Sequence, residues 1–253
     1  MPVFTRQLTT YSGRIMFLRK SLAAALLSFI AMGSAQANEA EVRNKLLESR
    51  IAGGETAEIV ESEVPGMFEV TAGGNIFFAT ADGRYLFQGK VYDLVQQKEL
   101  TASLMDSVRK KALAGISDAE TIVFMPPEGT PVKNTLTVFT DIDCHFCREL
   151  HKEMDGYLAN GIKIRYLFFP RAGLRSAAAK KAENVWCAAD RNTAMDTAKA
   201  EKPVADASCP NPVAKHYSLG RTLGVSATPT MMTSEGVIIR GFRRPSELDK
   251  MLN

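Results

Sequence analysis

The sequence has little that would mark it as a metal, nucleic-acid or membrane protein. It holds three histidines and four cysteines, and no second cysteine pair close enough to complete a zinc site beside the first. It has no internal repeat and no low-complexity tract. With 45% hydrophobic and 23% charged residues, neither disorder nor a fibrous protein is indicated. An excess of one charge is also missing. The first 37 residues contain four of the 31 basic side chains (Arg6, Arg14, Arg19 and Lys20) and none of the 28 acids, so the remainder carries 27 basic against 28 acidic groups. Nothing in that balance attracts a polyanion, and no nucleic-acid partner is expected. Beyond the N-terminus no apolar run approaches the roughly 20 residues that span a bilayer.

The N-terminus reads as a secretory signal. Arg19 and Lys20 form its charged edge, Leu22 to Met32 its short apolar run, and Ala35-Gln36-Ala37 a small-x-small cleavage site. The mature chain is expected to start at Asn38 and to be soluble. Met16 competes with Met1 as the start. Export places the protein where disulfides persist.

Residues 38–97 read as a small α+β unit. Asn38 and Glu41 have capping-box spacing ahead of a short helix carrying Val42, Leu46 and Leu47. Strand patterns follow at Met67–Val70, Ile76–Thr80, Arg84–Phe87 and Val91–Leu94, with Asp82-Gly83 as a tight-hairpin signal. A unit of this size has a marginal core and here no cysteine to staple it, so self-association is expected. Lys98–Ile116 has helical spacing at Leu100, Leu104, Val108 and Leu113, as a linker helix would, within a connecting segment 98–121. Residues 122–253 form a second unit. Its order is a β-branched strand (Thr135–Thr140), a helix from Cys144 to Asn160, a strand (Ile162–Phe169) and a mostly helical stretch to Gly224. A hairpin around Ser234-Glu235-Gly236 and a helix opened by Pro245 complete it.

The chemistry lies in Cys144-His145-Phe146-Cys147. A lone C-x-x-C is a weak signal, but one that follows a strand and opens a helix is strong. The unpaired N–H groups and positive dipole end of a helix favour a thiolate at the first cysteine, and the thiolate is the attacking species. Cys147, one turn in, is placed to resolve a mixed disulfide. A static bridge across one turn closes too small a loop to stabilise much, which argues for redox work. Haem attachment requires C-x-x-C-H, and position 148 is arginine. Of the three pairings that four cysteines allow, this spacing leaves Cys187 with Cys209, read as a structural bridge worth roughly 3 kcal/mol in the chain-entropy model. His145 beside the nucleophile favours the thiolate and a more oxidising protein. His151 and His216 fall in helical patterns and read as surface residues. Thr228-Pro229, before a strand, is open to either peptide isomer on local rules.

The order of strand, C-x-x-C helix, strand, helical insertion, Thr-Pro, hairpin and helix resembles the thioredoxin fold. The likeness is closer to the bacterial periplasmic disulfide isomerases of the DsbC and the related DsbG type. It rests on Gly66-Met67-Phe68-Glu69-Val70, Gln88-Gly89-Lys90-Val91-Tyr92-Asp93, Thr137 to Cys144, Ile164 to Arg171, Val185-Trp186-Cys187-Ala188, Ala207-Ser208-Cys209 and Leu223 to Pro229. The resemblance implies an α+β protein with an N-terminal cystatin-like dimerisation domain, a linker helix and a thioredoxin-like catalytic domain with a helical insertion. It also implies a V-shaped homodimer in the periplasm, acting on wrong disulfides in secreted proteins without cofactor or metal and reduced by a DsbD-type membrane protein. It carries the nucleophile onto Cys144, the resolving thiol onto Cys147, the structural bridge onto Cys187–Cys209 and the cis-proline loop onto Thr228-Pro229. His145 and Phe146 replace the Gly-Tyr of the type member. Val138 stands where thioredoxins bury an aspartate, so the Cys147 proton must pass through another group or water. A DsbA-type oxidase and a holdase chaperone with secondary redox activity are the alternatives.

Overall fold

The computed structural model describes residues 38–253, so the signal segment, its cleavage site and the Met16 start lie outside the described residues. The chain divides between Gln88 and Gly89 into two units.

In the first unit residues 38–48 are helical (α1), with Asn38 already inside the helix rather than capping it. Val42 and Leu46, four apart, are buried, whereas Leu47 is exposed. An antiparallel sheet runs in the order β1 (Glu58–Glu61), β2 (Met67–Ala72), β3 (Asn75–Thr80), β4 (Leu86–Phe87). Along β2 the side chains alternate, with Phe68, Val70 and Ala72 turned into a core shared with Val42, Leu46 and Ile59. The expected tight turn at Asp82-Gly83 is a longer loop. Thr80 and Tyr85 close it through a backbone bond of 3.0 Å, leaving residues 81–84 between them, and Gly83 takes a φ of 67°. Strand β1 was not anticipated. It is an edge strand with one buried side chain, Ile59, among Glu58, Val60 and Glu61, too little pattern to read.

The second unit opens with a hairpin, β5 (Tyr92–Asp93) and β6 (Lys98–Glu99), so the boundary expected at residue 97 falls between its two strands. Helix α2 follows (Leu100–Ala114). The main sheet is ordered β11-β10-β8-β9-β7, from β7 (Ile122–Phe124), β8 (Asn134–Thr140), β9 (Ile162–Phe168), β10 (Thr230–Thr233) and β11 (Ile238–Arg240). β8 lies at its centre, parallel to β9 and antiparallel to β10. Period-2 alternation sends Leu136, Val138, Ile164, Tyr166 and Met231 into one apolar cluster. Phe139, Leu167 and Met232 enter another together with Leu113 of α2. Both faces of the sheet are therefore covered.

The helix expected over Cys144–Asn160 breaks at Glu153 into α3 (His145–Lys152) and α4 (Met154–Ala159). The helical stretch after Leu174 resolves into α5 (Ala177–Cys187), α6 (Arg191–Lys199) and α7 (Val213–Thr222), and α8 (Pro245–Leu252) ends the chain. Gly236, in the β10–β11 turn, has a φ of 85°, and a Cβ there would fall 1.9 Å from the Asp106 carbonyl oxygen. Only glycine lets that hairpin lie against α2.

Candidate active site

The C-terminal end of β8 delivers the site. After Thr140 the buried Asp141 turns the chain: its carboxylate accepts from the Asp143 amide at 2.8 Å, and its carbonyl accepts from the Cys144 amide at 3.3 Å. Cys144 is then the N-cap of α3. Its sulfur accepts from the Cys147 amide at 3.3 Å, as a capping oxygen would. As a thiol it donates to the Thr228 carbonyl at 3.3 Å, across a Thr228–Pro229 peptide that is cis. The Thr228 hydroxyl beside it is buried with no hydrogen-bond partner. Antiparallel pairing of β10 with β8 brings Thr228, just ahead of β10, to the same sheet edge as Asp141.

Both cysteines are free and almost fully buried, Cys144 at 2% exposure and Cys147 at 1%. Their environments push them apart. The hydrogen bond from the Cys147 side chain, with those from Thr228 and the Cys147 amide and the charge of Arg171, outweighs burial and lowers the Cys144 pKa to about 5. Burial, and the same bond seen from its donor, drives the Cys147 thiol far up. At neutral pH one sulfur is an anion at a helix N-terminus and its neighbour a held thiol, the arrangement that thiol–disulfide exchange requires.

His145 and Phe146 are exposed, their rings edge to face at 5.3 Å, and neither is among the groups acting on the Cys144 sulfur. Cys187 and Cys209 are disulfide-bonded and tie the end of α5 to the segment that leads into α7. Beside that bridge Asn184 holds the same segment, donating to Asp206 Oδ1 at 2.8 Å and accepting from the Ala207 amide at 3.3 Å. Val138 is buried in β8, so no carboxylate stands behind Cys147 at that point.

Sequence reasoning missed two cations. Arg171 follows the end of β9, and its Nε donates to Asp141 Oδ2 at 3.0 Å. The parallel register that pairs Thr140 with Phe168 would have placed it there. Lys199, the last residue of α6, is 2% exposed. Its Nζ donates to Thr140 Oγ1 at 2.7 Å and to the Asp141 carbonyl at 2.9 Å. Its signal was position: it lies four residues after Met195 and one after Ala198, on the single apolar stripe of a polar helix. His216 corrects the surface reading outright, being 2% exposed, and the His151 side chain is only 9% exposed.

Comparison with known proteins agrees with this arrangement. The model of the disulfide bond isomerase protein N-terminal domain matches residues 33–102, and that of a thioredoxin-like domain matches residues 128–253. The chain is 39% identical over 230 residues to the thiol:disulfide interchange protein DsbC of Salmonella typhimurium, covering 90% of this chain and 92% of that protein. To DsbC of Escherichia coli strain K12 it is 38% identical over 221 residues, 87% of this chain and 90% of that protein. To DsbC of Haemophilus influenzae it is 33% identical over 236 residues, 92% and 97% respectively.

Proposed function

The chain belongs to the DsbC family of thiol:disulfide interchange proteins, and from that premise we propose that Cys144 is the nucleophile, Cys147 the resolving thiol and Thr228-Pro229 the ledge against which a substrate disulfide is presented. The observation that carries this reading is the Cys144 sulfur at the N-terminus of α3, held as a thiolate by the groups around it. The thiolate attacks one sulfur of a wrong disulfide in an exported protein. The old S–S bond breaks, its second sulfur leaves as a thiolate, and a mixed disulfide joins Cys144 to the substrate. A second substrate thiolate then displaces Cys144 with a new pairing, which is isomerisation and leaves the enzyme reduced. Alternatively Cys147 displaces the substrate, which is net reduction and leaves Cys144 bonded to Cys147. The second outcome requires outside electrons, for which a DsbD-type membrane reductase is the partner. His145 and Phe146, exposed beside the sulfur, meet the substrate, while the Cys187–Cys209 bridge is structural.

The same reading makes the protein a periplasmic homodimer joined through the unit that ends near residue 97, with residues 98–121 as the connector. Val60, Tyr85, Leu86 and Phe87 support this. They are large apolar side chains left exposed on a unit too small for a generous core. The test is refolding of a scrambled multi-disulfide substrate. Wild type restores activity, and Cys144→Ala falls to the uncatalysed rate. A Cys144→Ala variant that still isomerises at the wild-type rate overturns the assignment.

A further inference from the structure

A lysine as deeply buried as Lys199 is costly unless an anion faces it. No carboxylate bonds to it: Nζ donates to Thr140 Oγ1 and the Asp141 carbonyl, while the Asp141 carboxylate, whose charge also acts on Lys199, is bonded by Arg171. One of its three N–H groups is left over. The titratable groups around it are few. From α3 come Cys147, Cys144 and the cation of Arg148. From β9 comes the Tyr166 ring, 5.9 Å from Nζ, with its hydroxyl 3.2 Å from His151 Nδ1; His151 Nε2 is in turn 2.9 Å from Asp196 Oδ1. Burial drives Tyr166 up and His151 down, so both are neutral at pH 7. Ahead of the Asp141 carboxylate, which Arg171 shares, the anions acting on this ammonium are the thiolates of the C-x-x-C pair, whose Cys147 shares the Asp141 backbone with it.

We propose that Lys199 is the proton relay for the resolving thiol, switched by the state of Cys144. The inference rests on the assignment of Cys144 as nucleophile and goes beyond it. While Cys144 is a thiolate, the Lys199 ammonium offsets its charge. When Cys144 is tied into a mixed disulfide that charge disappears, and Nζ gives up a proton, which the displaced substrate thiolate takes up through solvent. The neutral amine then accepts the proton of the Cys147 thiol. Cys147 Sγ attacks Cys144 Sγ, the bond from Cys144 to the substrate sulfur breaks, and its electron pair leaves on the substrate as a thiolate. Lys199 ends as an ammonium beside the new Cys144–Cys147 disulfide. The electrostatics agree in direction: burial lowers the Lys199 pKa to about 8 against the pull of Cys147, Cys144 and Asp141, and Lys199 is the foremost influence favouring ionisation of Cys147.

The experiment is a stopped-flow reaction of the full mature protein with dithionitrobenzoate. The first nitrothiolate is released as Cys144 is captured, at a rate that depends on reagent concentration. The second is released as Cys147 resolves the mixed disulfide, at a rate that does not. In wild type the resolving rate rises with pH and levels off below about pH 8. In Lys199→Met it is slower by about tenfold or more at pH 7, as for a lost general base, and climbs with hydroxide without levelling, while capture stays within about threefold. Lys199→Arg, which keeps the charge but cannot act as a base, resolves as slowly as Lys199→Met and is captured like wild type. Wild-type resolution rates and pH profile in folded Lys199→Met overturn the proposal. Should that variant not fold, the lysine Nζ resonances of wild type are titrated before and after carbamidomethylation of Cys144. A Lys199 pKa that falls on capping supports the relay, and one that does not move overturns it. If wild type itself shows no capture phase, the Cys144 assignment fails and the relay with it.

Discussion

The Cys144 sulfur takes its bonds from Cys147 and Thr228 and a favourable positive charge from Arg171, so a single pKa is written by three separate stretches of chain. His216 shows the reverse case, a titratable group held neutral. Its Nδ1 accepts from the Phe168 amide at 3.3 Å, which leaves the proton on Nε2 to be donated to the Glu120 carbonyl at 2.8 Å. Burial lowers its pKa to about 4. Above the unfolded value of about 6.5 both states are neutral and His216 is silent. As pH falls from there toward 4, the unfolded chain binds a proton that the folded protein refuses, so stability drops across that window, by up to about 3 kcal/mol. Denaturant unfolding between pH 7 and pH 4 should show this slope in wild type, and His216→Gln should lack it. The residue was read as a surface one from its place in a helical pattern. Only the packing of α7 against β9 and Trp186 reveals the buried side.

Among the elements, what the sequence disclosed follows how local the signal is. The β-branched run of β8, the C-x-x-C that turns into α3, and the hairpin around Gly236 are written in neighbouring residues and lie where expected. Strand β1, with one buried side chain, offers too little pattern to read, and the burial of Lys199 depends on Thr140 and Asp141, 59 and 58 residues away, which no window of sequence contains. The segment from Ala200 to Pro212 belongs to neither class. It has no helix or strand of its own and is tied down through Cys209 and Asn184. Replacing both Cys187 and Cys209 by alanine should cost about 3 kcal/mol in chemical unfolding, from the loop of 22 residues the bridge closes. The same variant should keep its rate of exchange with a small disulfide at low temperature, since neither sulfur acts on Cys144.

On the scale of the whole molecule, two units with different needs share one chain. The first has exposed apolar side chains and no cross-link, whereas the second has apolar clusters on both faces of its sheet. In sedimentation the mature chain is expected at twice its monomer mass. A fragment starting near Lys98 is expected as a monomer that reduces disulfides but isomerises them poorly. A full chain that sediments as a monomer yet isomerises well removes the reason for pairing. The dispersed origin of the site has one more effect. In an extended chain Thr228 and Arg171 are nowhere near Cys144, and its thiol has the ordinary pKa of about 8.5, with about 3% ionised at pH 7. The completed fold brings that pKa to about 5 and the ionised share to about 99%. Before it folds the chain is chemically quiet, four unremarkable thiols free to find the 187–209 pairing, and it becomes a reagent only once it no longer has mistakes of its own to make.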